Sequence, residues 1–222
     1  MTFDDKAIKL LGNTSSGNIF IQLVDEHDEA MLQNEAEQIN KIGGTDDWCL
    51  ASIKTENWND DLSPWQTDAV FGKQGFGGGA RLTLDGVLNI VEKLKTSLPA
   101  AVKKFFIVGY SLAGLFALWA AYQTNVFCGV AAVSPSVWFD GWTDYSSQNE
   151  IKTKAVYLSL GDKEEKTKNP RMARVGDAIR TQYDVLSGAE VRCKLEWNSG
   201  NHFVESDRRV AKGVCWLIDV IK

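Results

Sequence analysis

Histidine is scarce in this chain, with only two in 222 residues. No H-E-x-x-H or H-x-H pattern occurs, so a histidine-built metal centre is not expected. The stretch Asp25-Glu26-His27-Asp28, where one histidine meets several carboxylates, reads as a solvated loop at a strand end. Cysteine is nearly as sparse. Cys49, Cys128, Cys193 and Cys215 are scattered and none forms a C-x-x-C pair, which favours buried free thiols in a reducing compartment and a cytoplasmic location. There is no Lys/Arg-rich block, and the formal charge of −5 argues against a general nucleic-acid binder. No apolar run is long enough to span a bilayer, and no apolar segment of signal-peptide type follows Met1-Thr2-Phe3-Asp4-Asp5, so neither a membrane partner nor a secretory signal is expected. Gly72-Lys73-Gln74 lacks the Ser/Thr of a phosphate-binding loop. The cluster from Gly75 to Ala80 follows a long loop where a dinucleotide fingerprint would need a strand. No cofactor and no metal are therefore expected.

What remains is a chain with 44% hydrophobic residues, enough for one α/β domain over 1–222. Strands are expected at 7–11, 19–24, 48–53, 105–108, 127–133, 155–160 and 191–197. Helices are expected at 29–42, 82–98, 112–121, 171–186 and from about 205 to the end, with an irregular segment at 55–79. This alternation implies a mostly parallel central sheet with helices on both faces. The functional site of such a sheet lies at the carboxyl ends of its strands.

The sharpest signal is Lys103 to Leu118. Phe105 to Val108 is an unbroken apolar run suited to a buried strand, and Leu112 to Ala121 suits a helix sunk against a sheet. Gly109, Tyr110 and Ser111 must turn one into the other, with Gly109 two residues before the serine and Ala113 two after. This is the G-x-S-x-G logic of a nucleophile elbow, which lifts the serine hydroxyl above the sheet beside free helix N–H groups. Such a serine needs a base. His202, in the loop between the last strand and last helix, has the position and chain order for it. The orienting acid should lie between serine and histidine. Glu164, three residues past Gly161, is preferred, with Asp162 and Glu165 as rivals. The oxyanion donors are expected to be the backbone N–H groups of Leu112 and His27, with Glu26 the alternative to His27. Four tryptophans, Trp58, Trp65, Trp138 and Trp142, follow strand ends; Trp138 and Trp58 are the expected pocket walls. The segment from Asp140 to Lys154 is too short for a large lid, so the pocket should be open.

Gly109-Tyr110-Ser111-Leu112-Ala113-Gly114, Ser134-Pro135-Ser136-Val137-Trp138, Leu160-Gly161-Asp162-Lys163-Glu164-Glu165 and Gly200-Asn201-His202-Phe203 resemble one branch of the α/β-hydrolase superfamily. It is the esterase branch that includes esterase D, the enterochelin esterases and the mycolyltransferases. The resemblance runs from about Ile19 to the end. It implies an α/β-hydrolase fold in a minimal form, and a Ser-His-acid esterase acting on a small-molecule ester with Ser111 and His202 in those roles. Some members work with a Ser-His pair alone. Two other readings stay open at this level: an acyltransferase using the same serine, and a non-catalytic binding protein that keeps the fold. The oligomeric state is not legible.

Overall fold

The structure, a computed structural model, describes residues 2–3, 6–70 and 72–221. Its strands are β1 (Thr2–Phe3), β2 (Lys6–Gly12), β3 (Asn18–Val24), β4 (Cys49–Lys54), β5 (Gln66–Thr67), β6 (Phe76–Gly77), β7 (Lys104–Tyr110), β8 (Phe127–Val133), β9 (Ala155–Gly161) and β10 (Arg192–Asn198). The α-helices are α1 (Glu26–Gly43), α2 (Trp58–Asp61), α3 (Ala80–Ser97), α4 (Ser111–Gln123), α5 (Trp142–Gln148), α6 (Val175–Gly188) and α7 (Ser206–Val220). Eight strands form one sheet in the order β1-β2-β4-β3-β7-β8-β9-β10, while β5 and β6 make a small separate hairpin. The β1–β2 and β2–β4 pairs are antiparallel and every other pair in the main sheet is parallel.

Side-chain alternation along the strands divides the interior in two. Phe20, Phe106, Val108, Ala131 and Tyr157 face Leu32 and Ile39 of α1 and Val210, Val214 and Leu217 of α7. Ile19, Ile21, Phe105, Ile107, Val130 and Leu158 face the opposite way, into a core completed by α3, α4, α5 and α6. Helix α4 is buried on all sides from Leu112 to Tyr122, which is why it shows no polar stripe.

The chain passes from β3 outward to β4, then crosses back to the other side of β3 to lay down β7 and its successors. That reversal is the switch point at which open α/β sheets bind ligands, and β7 delivers Ser111 there. The connection from β8 to β9 contains only the seven-residue α5, whose Trp142 is fully buried, so among the described residues it builds no large cap. No helix among the described residues is long and apolar enough to cross a membrane.

Several expectations are corrected in detail. Asp25 to Asp28 is not a loop: Asp25 caps α1 by accepting from the Asp28 amide at 2.8 Å, and Glu26, His27 and Asp28 form the first turn. Acidic residues favour that position because they satisfy free N–H groups and offset the helix dipole. The irregular segment 55–79 contains α2 and the β5–β6 hairpin, and the helix expected from 171 begins as a 3₁₀ turn at Met172–Arg174 before α6. Thr2–Phe3 and α5 were not anticipated. All four cysteines are unpaired. Burial pushes the thiols of Cys49 and Cys215 up to about 11 and that of Cys193 up to about 12.

One buried group weakens the fold. Glu35 on α1 is 3% exposed and faces Gln22 of β3, whose Nε2 donates to Glu35 Oε2 at 3.1 Å. Glu35 Oε1 and Gln22 Oε1 have no partner. Burial pushes the Glu35 carboxyl up to about 8, against a partial lowering by Gln22 and further raising by Asp28 and Asp207. A raised carboxylate leaves the native state short of stability as pH climbs from the ordinary value of 4.5 through about 8. Glu35→Gln removes that ionisation and is expected to stabilise the protein by on the order of 1–3 kcal/mol at neutral pH. Urea unfolding checks it: wild-type stability attributable to this site falls between pH 4.5 and about 8, and the variant lacks that fall.

Candidate active site

Strand β7 ends in the elbow. Ser111 has φ 57°, in the left-handed region that L-residues other than glycine rarely occupy. The turn is so tight that a Cβ on Gly109 would lie 2.2 Å from the Ala113 carbonyl oxygen, a backbone atom with no freedom to move away. Glycine is required there. Ser111 is also the first residue of α4, so the next amide, that of Leu112, belongs to the helix's free first turn.

The remaining groups come from the ends of the next three strands. β7, β8, β9 and β10 are consecutive and parallel, so their carboxyl ends share one edge. At about 4.8 Å per strand, β10 ends roughly 14 Å from β7, and the loop carrying His202 must fold back across the sheet edge to reach Ser111. It does so: His202 Nε2 lies 3.0 Å from Ser111 Oγ, and His202 Nδ1 lies 2.7 Å from Glu164 Oε2. With hydrogen on Nδ1, the imidazole donates to Glu164 and accepts from the serine hydroxyl.

The three neighbouring carboxylates are thereby distinguished. Glu164 opens a 3₁₀ turn, Glu164–Lys166, that aims it inward. Its Oε1 accepts from the Gly161 amide at 2.7 Å, the Ser134 hydroxyl at 2.7 Å and Arg209 Nη1 at 3.1 Å. Burial alone would raise the Glu164 carboxyl, but the bond and charge of His202, the Ser134 hydroxyl and the Gly161 amide outweigh it and hold it below the ordinary value. Asp162 accepts instead from the Gly200 amide at 2.8 Å, pinning the histidine loop without touching His202. Glu165 pairs with Arg180 at 3.0 Å.

Three residues in this network are given no role by the sequence: Arg209 stands outside every motif quoted above, while Tyr110 and Ser134 fall within two of them. Arg209, in the first turn of α7, is 2% exposed. Besides Glu164, its guanidinium donates to the carbonyls of Ser199 and Asn201, both at 3.0 Å, and so ties the histidine loop to the acid. Tyr110, the residue before the serine, donates its hydroxyl to the His202 carbonyl at 2.5 Å. Ser134 at the end of β8 supplies the third bond to Glu164. The available signal was an arginine beside Val210, Ala211 and Val214 on the apolar face of the last helix.

His27 is the second residue of α1, and its amide is one of the first-turn N–H groups with no carbonyl partner inside the helix. The nearby Asp28 carboxyl is pushed up to about 6 by burial and by Asp25, with His27 and His202 drawing it partly back.

Two neighbouring hollows flank His202. One, about 260 Å³, contains Ser111 and Leu112 and is walled by Trp58, Val70, Phe76 and Trp138. The other, about 540 Å³, lies along the Glu164 loop and shares Trp138, Met172, His202 and Phe203 with the first. Trp138 and Trp58 thus line the site. Trp65 and Trp142 do not: Trp65 donates to the Asp140 carbonyl at 2.8 Å and packs on Phe139 and Tyr145, and Trp142 is buried and donates to Gln182.

No family model and no curated protein sequence matches this chain. Solved structures do. An IroE-like serine hydrolase from Shewanella oneidensis superposes with a TM-score of 0.79 at 15% identity, covering 96% of this chain and 76% of the other. The siderophore hydrolase EstA from Aspergillus nidulans gives 0.74 at 16% identity, with 97% and 90% covered. The enterobactin esterase FES from Shigella flexneri gives 0.68 at 14% identity, with 98% and 56% covered. At these identities the likeness shows the fold, which is the α/β-hydrolase fold expected from the sequence.

Proposed function

We propose that this protein is a serine hydrolase that cleaves a carboxylic ester or thioester through an acyl-serine intermediate. The observation that carries the reading is the hydrogen-bonded line from Ser111 through His202 to Glu164, at 3.0 and 2.7 Å, on the sheet edge where such chemistry belongs. The structural neighbours support it, since they are described as serine hydrolases and esterases.

Ser111 Oγ attacks the ester carbonyl while His202 Nε2 takes its proton. The negative charge that develops on the carbonyl oxygen is met by the Leu112 amide and by the His27 amide from α1. Glu164 stabilises the imidazolium and fixes its tautomer, and Arg209 balances the charge of Glu164 on the side away from the histidine. The imidazolium then protonates the departing alcohol. Water, activated by the same base, releases the acid and restores the serine. The unpaired cysteines support a reducing, cytoplasmic setting.

A partition experiment tests the intermediate. Aryl esters that share one acyl group but differ in leaving group are hydrolysed in the presence of methanol. A common acyl-enzyme gives the same ratio of methyl ester to free acid for every leaving group. A ratio that changes with the leaving group, or no hydrolysis of any ester, contradicts the reading.

A further inference from the structure

The two hollows beside His202 differ in electrical character, and the chemistry of the step decides which half of an ester enters each. The tetrahedral oxygen must point at the Leu112 amide, so the acyl group takes the hollow that contains Ser111 and Leu112. The departing oxygen must lie against His202 Nε2 to be protonated, so the alcohol half extends past His202 into the larger hollow.

Apart from His202, no residue lining the acyl-side hollow is ionisable; its walls are Trp58, Val70, Phe76, Trp138 and a few amides and hydroxyls. The alcohol-side hollow is lined by Lys163 and Lys166, both exposed. Its one carboxylate, Glu164, is turned away into its bonds with His202, Ser134, Gly161 and Arg209. The neighbouring carboxylates are also engaged, Glu165 by Arg180 and Asp162 by the Gly200 amide. Elsewhere along the same edge acids outnumber lysines: Asp25, Glu26 and Glu56 against Lys54 in one hollow, Asp60, Asp68 and Asp140 against Lys73 in another. A hollow in which lysines are the free charges therefore stands out along this edge.

From this we propose that the ester cleaved here has an uncharged apolar or aromatic acyl group and an alcohol half bearing an anionic group, carboxylate or phosphate, which Lys163 and Lys166 attract. The proposal rests on the serine-hydrolase reading and adds the charge and orientation of the substrate to it.

Three benzoyl-type esters of similar size test it: benzoyl glycolate, with its carboxylate on the alcohol half; benzoyl glycolamide, neutral; and monomethyl terephthalate, with its carboxylate on the acyl half. At low ionic strength benzoyl glycolate should exceed the amide in kcat/KM by about tenfold, at roughly two- to fivefold per lysine. Salt should shrink the advantage. In the K163Q/K166Q double variant, its fold checked by thermal unfolding, the ratio should fall towards one. Monomethyl terephthalate should gain nothing from its charge. A ratio of one in the wild type, a preference that survives K163Q/K166Q, or an equal gain from the acyl-side carboxylate overturns the proposal. Failure of the hydrolase reading looks different, since none of the three would be cleaved. Binding of the same esters to Ser111→Ala, followed by tryptophan fluorescence, still ranks them by charge in that event, and an equal affinity for all three overturns the proposal there too.

Discussion

Ser111→Ala is expected to lower kcat for ester hydrolysis by about 10³-fold or more, His202→Ala by a comparable factor, and the double variant by little beyond either. In the proposed mechanism the two side chains act as one unit. There the serine hydroxyl is a weak nucleophile until His202 Nε2, 3.0 Å away, removes its proton, and the imidazole's other task in acylation, returning that proton to the departing alcohol, arises only after the serine has attacked. Losing either member removes the same step, so the effects cannot multiply. The fold should survive both changes, because Ser111 and His202 are only partly buried and neither belongs to the two cores. Unfolding midpoints measured beside kcat separate lost chemistry from lost structure. Near wild-type hydrolysis by folded Ser111→Ala would contradict the nucleophile assignment.

The second large effect concerns Glu164 and its counter-charge. Glu164→Gln keeps a bond to His202 Nδ1 at most in one amide orientation and loses the charge that stabilises the imidazolium, so kcat should fall by about 10²- to 10⁴-fold. Glu165→Gln should be mild, since that side chain faces Arg180. Arg209 acts through Glu164. Arg209→Met would strip a charged donor from Glu164 Oε1 and release the Ser199 and Asn201 carbonyls, with a stability cost of about 3–5 kcal/mol for breaking a buried pair. Arg209→Lys keeps the charge and provides a folded comparison. The diagnostic is the acid limb of kcat against pH. The wild-type Glu164 carboxyl lies below its ordinary value, so the ionised form that assists His202 persists as pH falls. Removing the guanidinium strips a charged donor from Glu164 Oε1 and is expected to move the acid limb to higher pH in Arg209→Met, while Arg209→Lys stays close to wild type. A purely structural arginine would lower kcat and stability with the limb unmoved.

Much of this site was legible because it depends on local order in the chain. Gly109 and Ser111 between an apolar run and an all-apolar helix define an elbow, and β7 followed at once by α4 realises it. His202 was legible for a similar reason: it sits just past the last strand, and parallel strands bring their carboxyl ends to one edge. The choice among Asp162, Glu164 and Glu165 was not decidable from spacing. It turns on a single 3₁₀ turn that aims one carboxylate inward and the next outward. Arg209 was invisible for a different reason. It is 45 residues from Glu164, and its role exists only once α7 has docked on the sheet beside β8 and β9. From the sequence the first turn of α1 resembles a loop because its acidic run suits a solvated strand end, although Asp25 is a good N-cap. Of the four tryptophans at strand ends, Trp142 went into the core and Trp65 against Phe139 because burial of a large ring wins wherever a cavity for it exists.

The central claim is that Ser111 forms a covalent bond to substrate, and the most direct measurement of it is a mass. The purified protein is treated with a fluorophosphonate, the adduct is counted on the intact chain, and its position is read from peptide fragments. The account predicts one adduct per chain, on Ser111, absent from Ser111→Ala and formed far more slowly by His202→Ala. Ester hydrolysis by a chain that takes up no label, or a label carried on any residue other than Ser111, would contradict it.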